Sequence, residues 1–183
     1  MKPQRSNLVI AVLLILLAAG SRIVNAEFQL WNFAPVAALG LFSGAVVGEK
    51  RLAFLFTLLV QLLSDLYFQF FTEVPGFYGI SQIFTYAGMA AVTALGMWMP
   101  NRKAVTVAGF ALGGSLVFFI LSNLGVWLGG LYGVTAAGLV KTFVMAVPFY
   151  KGTLIGDVVF SAILFGGYAL MQRPVRRVEG AVA

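Results

Sequence analysis

Six stretches of this chain run for about 17 to 25 predominantly apolar residues, the length needed to cross the roughly 30 Å hydrocarbon core of a bilayer as a helix. They cover approximately 8–24, 32–48, 52–71, 79–99, 104–128 and 152–172. Composition agrees with the pattern. The chain is 61% hydrophobic and 10% charged, with a mean hydropathy of +0.97, whereas a soluble domain is about a quarter charged. So little polar surface could not cover a water-exposed globule.

The expected fold is an all-α integral membrane protein, a single transmembrane domain of six helices over 1–183. A further apolar stretch, 133–150, carries Lys141 and Pro148. It reads as a re-entrant or interfacial segment before the last helix, buried against protein where its backbone can be satisfied.

The basic residues sit in short clusters between the apolar runs, so the net charge of +6 reads as membrane topology rather than nucleic-acid binding. With six spans and a cytoplasmic N-terminus, the inner segments hold nine basic residues, Lys2, Arg5, Lys50, Arg51, Arg102, Lys103, Arg173, Arg176 and Arg177. The outer ones hold three, Arg22, Lys141 and Lys151. A seventh span would put the basic tail, 173–183, outside. Six spans with both termini cytoplasmic is therefore the expected topology. Lys2 and Arg5, the apolar run that follows and Val24-Asn25-Ala26 also fit a cleavable signal peptide, whose removal would leave five spans.

The chain has no Cys and no His, which excludes thiol nucleophiles, disulfides, haem ligation, zinc hydrolysis and Ser-His-Asp catalysis. It has no P-loop and so is not itself an ATPase of that class. No cofactor or metal is expected.

Polar side chains inside apolar spans are costly and mark candidate sites. Counting 1.5 Å per residue from the loop ends places Asp65, Asn123 and Asp157 in the outer half of the membrane. Asn32 opens the second span there, and Gln82 lies just below the outer end of the fourth. Helical spacing can turn these groups toward one another. Thr57, Gln61, Ser64, Asp65 and Gln69 form one stripe, Gln82, Thr85, Tyr86, Met89 and Thr93 a second, and Thr153, Asp157 and Ser161 a third. Such residues can also simply cross-link helices by hydrogen bonds. Lys141 and Lys151 either pair with the carboxylates or reach the outer interface. Aromatic residues, among them Trp31, Tyr86 and Trp127, crowd the outer end, while the cytoplasmic end has little beyond Trp98 and Phe54. An aromatic-lined pocket with a few convergent polar groups is what a small-molecule site looks like.

In the inner half, Gly40, Gly44 and Gly48 are spaced by four, and Gly109 and Gly113 repeat the spacing. Each face allows close helix approach, either within the bundle or against a partner membrane subunit.

Four stretches carry a resemblance. They are Asn-Phe-Ala-Pro-Val-Ala-Ala-Leu-Gly-Leu-Phe-Ser-Gly at 32–44, Leu-Ser-Asp at 63–65, Ser-Asn-Leu-Gly-Val-Trp-Leu at 122–128, and Ala-Val-Pro-Phe-Tyr-Lys-Gly-Thr-Leu-Ile-Gly-Asp at 146–157. Over residues 8–167 the chain is similar to a bacterial family of small, functionally uncharacterised integral membrane proteins. That family resembles, more distantly, the substrate-binding S components of energy-coupling-factor vitamin transporters. The resemblance implies six helices, a pocket open to the outside, and docking to a membrane coupling subunit that works with an ATPase. The AxxxA face common on the first helix of S components is absent, since Ala11 is followed four on by Ile15 and Ala18 by Arg22. Cobalamin capture through a cysteine thiolate is ruled out by the missing Cys.

The leading functional expectation is capture and uptake of a small vitamin-like molecule, with no enzymatic activity, in a bacterial cytoplasmic membrane. Asp65, Asn123 and Asp157 would orient the ligand, Asn32, Gln82 and Lys141 would assist, and Trp31, Tyr86 and Trp127 would supply stacking faces. An assembly subunit of a membrane complex, docking through Gly40, Gly44 and Gly48, is the alternative. An intramembrane aspartyl hydrolase would need two carboxylates sharing a proton, and the Gly-x-Gly-Asp turn of such enzymes is absent at 154–157.

Overall fold

The computed structural model describes residues 36–172, and before them Val9, Leu13, Gly20, Ser21, Val24 and Phe28. Five helices follow one another: α1 (Val36–Val46), α2 (Lys50–Phe71), α3 (Ile80–Met97), α4 (Ala104–Leu128) and α5 (Ala136–Met171). No strand occurs among the described residues. Helices α2 to α5 are each long and apolar enough to cross a membrane, so the chain is an all-helical membrane protein. Of the first expected span, the five described positions, from Val9 to Val24, are helical. The basic tail lies outside the described residues, as do Trp31 and Asn32.

Helix α1 is the centre of the bundle. It is 11 residues long, about 16 Å, which is too short to span by itself. Ala37, Ala38, Leu39, Leu41, Phe42 and Ser43 are all buried, as expected of a helix that is apolar on every side. It contacts each of the four long helices. Phe42 packs edge-on against Phe165 and Tyr168 of α5, with ring centroids 5.2 and 5.7 Å apart.

Glycines set the α1–α3 distance. A Cβ on Gly40 would lie 3.2 Å from the Met89 carbonyl, one on Gly44 would overlap the Thr93 carbonyl, and one on Gly96 would overlap the Leu41 carbonyl. Gly40 and Gly44 are therefore used inside the chain, and the surface expected to dock a partner is occupied by α3. Gly48 lies outside this seam, exposed in the α1–α2 turn with nothing against it.

The short buried helix is held at both ends by distant side chains. Asp157 on α5 accepts the backbone N–H groups of Ala37 and Ala38 at 3.0 and 3.2 Å. Arg102 donates to the Ala45 carbonyl at the other end, with its guanidinium 5.6 Å from the centre of the Tyr168 ring. An acceptor for the N–H groups at the N-terminus and a cation at the C-terminus both suit the helix's unpaired end groups.

The expected break at 133–150 is not present. Residues 136–171 form one 36-residue helix with Pro148 inside it. Proline removes the hydrogen bond to the carbonyl four residues back, but membrane helices tolerate it where neighbouring helices re-satisfy the backbone. At about 54 Å, α5 is longer than the hydrocarbon core is thick. Its start is fixed by Thr135, whose hydroxyl accepts the Gly138 N–H at 3.0 Å. The preceding turn uses Gly130 and Gly133, both at φ +81°, a conformation that costs glycine little.

Candidate functional site

The C-terminal half of α2 carries the first polar cluster. Asp65 is 1% exposed, so its carboxylate needs partners, and two helices provide them. Gln61, one turn earlier on α2, donates to Oδ1 at 3.1 Å. From α3, Gln82 donates to Oδ2 at 3.1 Å and the Tyr86 hydroxyl at 2.9 Å.

The cluster also fixes the loop 72–79. Gln82 donates to the Gly76 carbonyl at 3.3 Å, while the Gln69 side-chain oxygen accepts the N–H groups of Gly76 and Phe77 at 3.1 and 3.2 Å. A Cβ on Gly76 would overlap the Asp65 carbonyl, so the loop lies directly on α2. The geometry is that of a brace joining α2, α3 and their connection.

The second feature is a cavity of about 350 Å³ between α3, α4 and α5. It lies at the end of the bundle opposite Lys50, Arg51, Arg102 and Lys103. Phe118, Phe119, Phe149, Tyr132 and Tyr150 give it aromatic walls, and Thr85, Ser122, Asn123, Thr142 and Thr153 give it polar ones. Phe119 stacks obliquely on Tyr150, with centroids 4.4 Å apart. Leu131, Met145 and Phe149, around its rim, are exposed.

The polar wall has a common chemistry. Thr85, Thr142 and Thr153 donate to the carbonyls of Ser81, Gly138 and Phe149, each four residues back, at 3.0, 2.8 and 3.4 Å. Ser122 and Asn123 both donate to the Phe119 carbonyl, at 3.3 and 2.8 Å. Donors satisfied within their own helices leave oxygen lone pairs to face a guest. Among the described residues, no charged side chain lines the cavity. Among the described residues, no group of three His, Cys, Asp or Glu is placed to hold a metal ion.

The structure thus divides the residues singled out in the sequence. Asp65, Gln82 and Tyr86 meet in the brace, and Asn123 lines the cavity. Asp157 is at neither place; it caps α1. The hydroxyls of Ser115 and Ser161 are buried as Asp157 is, and Ser115 bears on its carboxyl group. Trp127 donates its indole N–H to the Thr135 carbonyl at 3.0 Å and closes the α4–α5 turn. Lys141 is exposed, its ammonium 5.1 Å from the centre of the Tyr132 ring, behind the cavity wall rather than in it.

Thr142 is a cavity residue that the expected break in α5 concealed. The signal is in the sequence: Thr142, Met145, Ala146, Phe149 and Thr153 recur at three- and four-residue steps, a stripe that runs unbroken through Pro148.

The family model described as "Family of unknown function (DUF6580)" matches residues 2–178. No curated protein and no solved structure matches the chain.

Proposed function

This chain belongs to the DUF6580 family of unknown function, and we propose that it binds a small, vitamin-like molecule in its outer cavity and serves the uptake of that molecule. The observation that carries this reading is the cavity between α3, α4 and α5. At about 350 Å³ it falls in the 300–1,000 Å³ range of small-molecule sites, and it has their pattern of aromatic walls with a few convergent polar groups. The uncharged lining favours a neutral guest, held between Phe119, Phe149 and Tyr150 and oriented by Asn123, Thr142 and Thr153. In this reading the brace around Asp65 keeps α3, which supplies Thr85 to the cavity, at a fixed distance from α2.

The distant resemblance to S components of energy-coupling-factor transporters supports the same function. The guest would enter from outside and be released inward by reorientation, driven by a membrane coupling subunit and its ATPase. We place the chain in a bacterial cytoplasmic membrane with both termini cytoplasmic, on the distribution of its basic residues.

A native mass spectrum of the gently solubilised protein tests the binding reading. The expected result is a small-molecule adduct on the wild-type chain that is lost in an Asn123→Leu, Thr153→Val variant of unchanged thermal stability. A wild-type chain without an adduct, or an adduct that the double variant retains, overturns it. An assembly role is the second reading. It is favoured by Gly109 and Gly113 on α4, where a built Cβ would meet nothing within 4 Å among the described residues, and it predicts a larger complex in the same spectrum.

A further inference from the structure

On the surface of the bundle, near the end that carries Lys50, Arg51, Arg102 and Lys103, α4 and α5 enclose a groove of about 260 Å³. Its floor includes the buried Val107 and Phe165, and its rims are Ala104 and Ala108 on α4 and Ala162 and Gly166 on α5. Small residues four apart on both helices leave a trough that no side chain among the described residues fills. The rim residues are exposed, and the surrounding surface is that of membrane-spanning helices, so the trough opens toward lipid.

Arg102 belongs to the lining of the same groove. It immediately precedes Lys103 and the start of α4 at Ala104, at the edge of the span. Its position is fixed twice, by the bond to the Ala45 carbonyl and by the Tyr168 ring beneath it. A guanidinium has five N–H donors, and this one stays exposed, so donors remain for a further acceptor. Its planar fork suits a phosphate oxygen pair.

We infer that this groove is a binding site for an anionic phospholipid, with an acyl chain in the trough and the headgroup phosphate on Arg102. An apolar trough that ends at a fixed cation matches both halves of such a lipid. A zwitterionic lipid would bring its own cation to the same place. This inference does not depend on the outer cavity, which lies at the other end of α4.

The test uses the full-length protein, delipidated in detergent, with dioleoyl-phosphatidylglycerol or dioleoyl-phosphatidylcholine added back and binding read by native mass spectrometry. Phosphatidylglycerol should bind about fivefold more tightly, the contribution of one basic side chain near a headgroup. Arg102→Gln should bring the two lipids to equal affinity, whatever it does to stability. Ala162→Leu, which fills the trough from an exposed rim, should weaken both. Equal affinity in the wild type overturns the inference. So does a preference that survives Arg102→Gln, indifference to Ala162→Leu, or displacement of the lipid preference by millimolar inorganic phosphate.

Discussion

The carboxylate of Asp157 accepts the backbone N–H of Ala37 at 3.0 Å, across 120 positions of sequence. A central helix of 11 residues cannot supply partners for its own first N–H groups, and the bundle core offers no water to replace them. Asp157 therefore ties the last helix to the start of the first described one. It is better understood as a cap than as a ligand-orienting residue.

Substituting Asp157 separates those two roles. Asp157→Asn keeps an acceptor oxygen at the helix end and should fold. Asp157→Leu leaves two buried N–H groups unpaired and should cost about 1–3 kcal/mol, read as a fall in the thermal unfolding midpoint in detergent. Occupancy of the cavity between α3, α4 and α5 in Asp157→Asn should match the wild type.

The brace at Asp65 makes a different prediction, because one of its donors also holds a loop. Gln82→Leu removes a bond to Asp65 and the bond to Gly76. Hydrogen exchange should then accelerate across 72–79 while α4 and α5 keep their protection. Tyr86→Phe removes the hydroxyl that bonds Asp65 and should destabilise the protein by about 0.5–1.5 kcal/mol, the range for a typical intramolecular hydrogen bond, without loosening the loop.

Glycines with the same spacing should respond in opposite ways. A methyl on Gly44 overlaps the Thr93 carbonyl, a backbone atom that cannot rotate away. Gly44→Ala should cost about 1–3 kcal/mol of overpacking. Gly113 meets nothing within 4 Å, so Gly113→Ala should be neutral or stabilise by up to about 1 kcal/mol through helix propensity. Parallel thermal melts of the two variants check the contrast.

Much of this was legible in the sequence, for stated physical reasons. Apolar run length located α2, α3 and α4 to within two residues at either end, because a membrane span must be continuous. The three-to-four-residue period joined Gln82 and Tyr86 into one face, and both reach Asp65. Position along a span does not say which helix a side chain faces. Asp65 and Asp157 were therefore grouped at one level when one braces α2 to α3 and the other caps α1. The break expected at 133–150 rests on Lys141, Pro148 and the distribution of basic residues, whereas a membrane helix tolerates an internal proline where neighbouring helices re-satisfy its backbone. Gly40 and Gly44 were recognised as a close-approach face, and only the coordinates could name α3 as what approaches.

The orientation of the bundle gives the last prediction. The chain has no cysteine, so single cysteines report cleanly on the side of the membrane they occupy. If α2, α3 and α4 each cross once, Gly48 and Asn101 share one side, while Glu73 and Val134 share the other. All four are exposed, and none makes a bond that holds two helices together. Positive-inside placement of Lys50, Arg51, Arg102 and Lys103 puts the first pair in the cytoplasm. A membrane-impermeant maleimide should then label Glu73→Cys and Val134→Cys in intact cells, and Gly48→Cys and Asn101→Cys only in inverted vesicles. The reverse pattern would turn the cavity toward the cytoplasm and remove the uptake reading. Labelling of Glu73→Cys and Val134→Cys from different sides would mean that α3 and α4 do not both cross.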